Sequence, residues 1–207
     1  MDEWLLRTFQ VEVRQQCRFV LLGAEKLAEA HRRLGAAFRG ISTEEWMAGI
    51  RIDVRERLAA VDALWAAIQD ILIAAGNLSK LFWGSGGGKA VERKPLRDSL
   101  HVADSSPLRD VDTRNDFEHF DERIQSHVEA GGPSVGFASR NIGGIEHAGS
   151  DPERHFGFYN PGTGVVTFWG HSMSLPAVVA EAKRILPIAE REVLGIDLNA
   201  LLRELDP

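Results

Sequence analysis

Residues 46–72, WMAGIRIDVRERLAAVDALWAAIQDIL, decide the fold class. Trp46, Ile50, Val54, Leu58, Val61, Trp65, Ile68 and Leu72 recur at steps of three and four. That spacing returns a side chain to one face of an α-helix. Ser42-Thr43-Glu44-Glu45 reads as its capping box, with Ser at the N-cap and Glu three residues on. The pattern runs to about Phe82, with Gly76-Asn77 as a possible interruption, and Trp83 closes it before Gly84-Ser85-Gly86-Gly87-Gly88. Upstream, Cys17, Val20, Leu21, Ala24, Leu27, Ala28, His31 and Leu34 form a second apolar stripe. It predicts a helix from about Trp4 to Leu34, stopped by Gly35.

Downstream the spacing predicts a short helix over 94–102. Ser106-Pro107 then opens another, with Ser at the N-cap and Pro at the first helical position. Leu108, Val111, Phe117, Phe120, Ile124 and Val128 are its apolar positions, and Gly131-Gly132-Pro133 its end. Beyond Pro133 the texture becomes β. Val135–Phe137 reads as a short strand, while His155–Tyr159 and Val165–Trp169 read as a hairpin around the turn Asn160-Pro161-Gly162-Thr163-Gly164. Ser174 caps a helix from Leu175 to about Val193, with Pro187 inside it, and a short helical stretch covers 198–205. The expected fold is mainly α: a helical unit over 1–130, then a β-hairpin or small sheet with a C-terminal helix over 131–207, packed on the bundle. A separate small α+β domain after residue 133 is the alternative.

The chain has 207 residues, 44% of them hydrophobic, enough for one good-sized core. Its single cysteine excludes an internal disulfide. Charges interrupt each apolar run, so no membrane span is expected. Met1-Asp2-Glu3-Trp4 lacks the basic start and apolar stretch of a secretory signal, and the expected location is cytoplasmic. A net charge of −6 argues against a non-specific nucleic-acid coat, whose binding is driven by phosphate neutralisation. One local basic group remains: Lys89, Arg93, Lys94 and Arg97 form either a phosphate- or RNA-binding face or a solvated one. The glycine run is not a phosphate-cradling loop, because Ala90 follows Lys89 and a helix precedes the run; it reads as a flexible link.

The segment Thr113-Arg114-Asn115-Asp116-Phe117-Glu118-His119 carries the chemistry. On one helix Asn115, Glu118 and His119 cluster, and Arg114 meets Glu118 at i, i+4. Arg114 and His119 stand about 140° apart around the axis, within reach of a shared phosphate through the long Arg side chain. A solvated, salt-bridged helix face would show the same residues. His119 could equally be a core histidine between Phe117 and Phe120.

Arg114, four residues, then His119, with a polar Asn115 after the Arg and two long helices ahead, resembles the Arg-x(4–6)-His motif of the HEPN superfamily. The resemblance covers roughly residues 1–130. It implies a HEPN-like helical bundle and a metal-independent endoribonuclease of toxin or defence type, working without a cofactor. Its site would form across a homodimer, since one motif supplies one titrating group. His119 would move protons at a ribose 2′-hydroxyl or a leaving oxygen, Arg114 would hold the phosphate, and Asn115 and Glu118 would position them. RNA and an antitoxin or regulatory protein are the implied partners. The tyrosine that some such toxins carry two residues after the His is Asp121 here, and the only tyrosine is Tyr159. Asp116, Asp121 and Glu122 beside the motif would repel RNA. A non-catalytic HEPN-like interaction module, or a nucleotide-binding one, stays open. The other histidines show no paired metal-ligand spacing, and no nucleophile-elbow sequence is present. Trp169-Gly170-His171 reads as a packed strand end.

Overall fold

The computed structural model describes residues 1–38, 54–110, 112–130, 141–143 and 157–204; at 38, 54, 113, 114, 117, 127 and 196–204 it describes the backbone alone. Three long helices dominate: α1 (Glu3–Phe38), α2 (Val54–Trp83) and the C-terminal Leu175–Glu204. α1 packs along both of the others. Val13, Cys17, Val20 and Leu27 of α1 are buried against Leu64, Ile68, Ile71, Leu78 and Phe82 of α2. On the other side stand Val178, Ala182, Ile185 and Ala189 of the C-terminal helix. The i, i+3, i+4 pattern of the sequence is thus the buried seam itself. Gly23 of α1 leaves no room for a side chain against α2: a Cβ there would lie 2.7 Å from Ile71 Cγ1.

α1 continues past the predicted stop at Gly35 to Phe38. Gly35 is exposed, and nothing lies within 4 Å of where its Cβ would be, so only its intrinsic propensity opposed the helix. The capping box at 42–45, Trp46 and Ile50 lie outside the described residues. α2 runs without interruption through Gly76-Asn77. It carries Asp62, Asp70 and Lys80, as the reading of charge-interrupted apolar runs expects. By length and composition α2 could cross a membrane, with a mean hydropathy of 1.7 over its most apolar window. Half of that window is buried in the fold, as in any core helix. Asp70 within it is held by Lys26 of α1 at 2.6 Å.

Between α2 and the sheet lie α3 (Gly87–Glu92), α4 (Lys94–Ser99), a 3-10 turn (Pro107–Arg109), α5 (Asp112–Glu118) and α6 (Phe120–Glu129). The helix expected over 94–102 is α4, which ends at Ser99, and α3 before it was not expected. The predicted helix from Ser106-Pro107 begins as a 3-10 turn, with Ser106 Oγ accepting from the Leu108 amide and donating to Glu181 of the C-terminal helix at 2.9 Å.

The sheet is β1 (Asn141–Ile142), β2 (Phe158–Asn160), β3 (Val165–Phe168) and β4 (His171–Ser174), in that spatial order. β1 pairs parallel with β2; the other pairs are antiparallel. The predicted hairpin is β2–β3, with its strands shorter than expected, and β1 and β4 extend it. The strand expected at 135–137 and residues 155–156 lie outside the described residues. In the β2–β3 turn Asn160 Oδ1 accepts from the Gly162 and Thr163 amides. Gly164 closes the turn at φ +68°, against Pro176. The β3–β4 link is the two-residue turn Trp169-Gly170, both at positive φ, as the twist of a tight hairpin requires.

Tyr159, Val166, Phe168 and Met173 carry the sheet into the core shared by α1 and α2. Trp65 meets Phe168 edge-on at 6.1 Å and His31 stacks on Tyr159 at 5.4 Å. From β4 the chain enters α7 (Leu175–Glu204), with Ser174 Oγ accepting from the Ala177 amide at its start. α7 is one helix through Pro187, where the sequence suggested an end near Val193 and a separate stretch after it. The chain is mainly α with a small mixed sheet and a C-terminal helix.

Candidate functional site

The motif segment is not one helix. α5 ends at Glu118 and α6 begins at Phe120, with His119 between them at φ −108°, ψ 36°. Hydrogen bonds still run from the His119 amide to Asn115 and from the Arg123 amide to His119, so the break is a local unwinding at one residue. Asn115, Asp116 and His119 are all weak helix formers. The single helix face expected to gather Asn115, Glu118 and His119 is thus interrupted at His119. Glu118 turns to Lys80 of α2 at 2.8 Å. His119 is 57% exposed, with Glu122 3.7 Å from Nδ1. It is not a core histidine. The Arg114 backbone lies in α5; its side chain lies outside the described residues.

Asn115 opens into a pocket of about 320 Å³ beneath the α2–α3 turn, whose walls include Trp83, Gly84, Gly86, Gly87 and Arg109. The glycine run expected to be a flexible link is thus a defined turn and the first residues of α3. Gly86 and Gly87 have nothing within 4 Å of a Cβ position, which leaves their backbone open to an occupant.

The basic group disperses. Lys89 pairs with Glu92 and Lys94 with Asp98 along their own helices. Arg93 lies over the Phe9 ring at 4.0 Å. Arg97 corrects the reading of a solvated cationic face outright. It is 8% exposed, and Nη1 donates to the Phe82 carbonyl at 2.6 Å and the Ala90 carbonyl at 2.8 Å. It ties the end of α2 to α3.

A different pair meets where α5 packs on β3 and β4. Asp116, expected as an exposed acid beside the motif, is 1% exposed. Its Oδ2 contacts His171 Nδ1 at 2.5 Å. Its Oδ1 lies 2.7 Å from Arg123 Nη2, an ionic contact off the line of a hydrogen bond. His171 is half exposed and follows the strained Trp169-Gly170 turn, with Trp169 at φ +48°. Its pKa is raised, chiefly by the hydrogen bond to Asp116 and further by the charges of Asp116, Asp112 and Asp110, against some desolvation. Sequence reading passed over His171 because its partner is 55 residues away. The local signal was Gly170, in a two-residue turn after the apolar β3.

Two groups with shifted pKa values, His31 and Cys17, sit on α1 instead. Burial lowers the pKa of His31 and pushes the Cys17 thiol up to about 12. Among the described residues no three His, Cys, Asp or Glu side chains converge as a metal-ligand set. The sequence matches no family model, no curated protein and no solved structure at a significant level.

Proposed function

We propose that this chain is a metal-independent endoribonuclease of the HEPN kind, of toxin or defence type, acting in the cytoplasm as a homodimer. The observation that carries the reading is the pocket beside the motif. Asn115, next to Arg114, shares it with Arg109 and an open glycine turn. A guanidinium, an amide and approachable backbone together suit a phosphate of the RNA chain. His119, exposed at the helix break, serves as base for the 2′-hydroxyl, and Arg114 neutralises the phosphate. An antitoxin or other regulatory protein is the natural partner of such an activity.

The test is cleavage of a mixed-sequence RNA by the purified protein in EDTA. Wild type cleaves; Arg114→Ala and His119→Ala, both folded, lose about 100-fold or more. One observation favours a second reading, a non-catalytic interaction module: the Lys80–Glu118 and His119–Glu122 pairs are what a salt-bridged surface presents. That reading predicts no cleavage of the mixed-sequence RNA.

A further inference from the structure

We infer that the pocket between α1, the β2–β3 turn and the start of α7 is a binding site for a small, uncharged ring compound bearing a carbonyl or carboxamide group. The inference is independent of the ribonuclease reading, because this pocket shares no lining residue with the one beside Asn115. Its volume is about 340 Å³, within the range of small-molecule sites.

Three contacts set the walls. His31 of α1 stacks on Tyr159 of β2, with the ring centroids 5.4 Å apart and the planes inclined by 24°. Asn160 Oδ1 closes the turn by accepting from the Gly162 and Thr163 amides. The Leu175 amide donates to the Gly164 carbonyl at 3.1 Å, which fastens the turn to the first residue of α7. Leu27, Leu175, Pro176 and Val179 supply apolar surface between these points. Walls tied together in this way are in place before a ligand arrives, so little ordering opposes binding.

Two polar rings line the pocket, and neither is satisfied. Tyr159 is 1% exposed, and its hydroxyl has no hydrogen-bond partner among the described residues. His31 Nε2 is buried and has none either. Buried polar groups are nearly always paired, because desolvation without a partner is costly. A carboxamide offers its oxygen to the Tyr159 O–H, and its N–H or oxygen to the imidazole in either tautomer. Charge has no counterpart here. No Asp, Glu, Lys or Arg is among the described residues that line the pocket. Burial lowers the pKa of His31 and pushes that of Tyr159 up to about 12, so both are neutral at pH 7. An ion would give up hydration and meet no opposite charge, which selects an uncharged ligand and rejects a phosphate.

The experiment titrates benzamide and benzoate, alike in shape and different in charge, into the wild-type chain, Tyr159→Phe and Ala28→Phe at pH 7. Tyr159 is the chain's one tyrosine, so its ring signals in a carbon NMR spectrum identify themselves. Tyr159→Phe removes the hydroxyl alone. Ala28 lines the pocket from an exposed position of α1, so a Phe there fills the space without entering the core. Benzamide is expected to move the wild-type Tyr159 signals saturably, and benzoate to bind at least about tenfold more weakly. Broadening of the probe's own lines reads binding to Tyr159→Phe, which should be weaker by about three- to tenfold, the loss of one hydrogen bond. In Ala28→Phe the saturable shift should vanish. Tyr159 signals that stay still up to the solubility limit of benzamide overturn the inference. So does benzoate binding as tightly as benzamide, or either variant binding benzamide as the wild type does.

Discussion

Replacing Arg97 by Met removes a guanidinium that holds two main-chain carbonyls and stands 3.7 Å from Asp104. Nη1 donates to two carbonyls, those of Phe82 in the last turn of α2 and of Ala90 in α3, and the head group lies 5.7 Å from the Trp83 ring. Met keeps most of the stem's packing, so the loss isolates the polar contacts. A hydrogen bond with one charged partner contributes about 1.5–3 kcal/mol when buried. Two such bonds, less the share recovered if water reaches the Ala90 carbonyl, give a destabilisation of about 3 kcal/mol. For a chain of this size that lowers Tm by about 6–12 °C. Lys94→Met is the control: its Asp98 pair is exposed along one helix, and its removal costs less than about 0.5 kcal/mol. Urea unfolding of the three proteins reads both numbers. The same result for Arg97→Met as for Lys94→Met would refute the reasoning, because it would place Arg97 on the solvated cationic face that its sequence neighbours suggest.

The same glycine substitution should act in opposite directions at two sites. Gly164→Ala forces a Cβ at φ +68° to within 2.8 Å of two Pro176 carbons and should cost about 2–4 kcal/mol, whereas Gly35→Ala, open and helical, should gain about 0.5–1 kcal/mol. Thermal melts of the two variants check the signs. Cys17, buried with its pKa pushed up to about 12, should leave a disulfide reagent untouched at pH 8 in the native state and react with it fully in urea. Native-state reaction at the unfolded rate would contradict its burial.

What was legible in the sequence was what short-range periodicity encodes. The stripes Cys17–Leu34 and Leu58–Leu72 become parts of α1 and α2 because a helix face is a local property of spacing. The Asn160–Gly164 turn was legible because Asn and Gly chemistry closes it without distant help. The failures share another cause. Arg97 and Asp116 look like surface charges in their local context, and each is buried by partners supplied from elsewhere in the fold. The break at His119 lies inside a stretch whose apolar spacing suits a continuous helix, so periodicity gave no sign of it. β4 was hidden behind a Trp at positive φ, a conformation that no propensity assigns to that residue. The candidate site was thus half visible: Asn115, Glu118 and His119 could be named, but Glu118 faces Lys80, and the partner of Asp116 comes from a strand 55 residues on.

The most direct test of the central claim is the chemical nature of the ends left on RNA by the purified wild-type protein in EDTA, read by mass spectrometry. The account predicts fragments ending in 2′,3′-cyclic phosphate paired with fragments beginning in a 5′-hydroxyl. Intact RNA, or 3′-hydroxyl and 5′-phosphate ends, would contradict it.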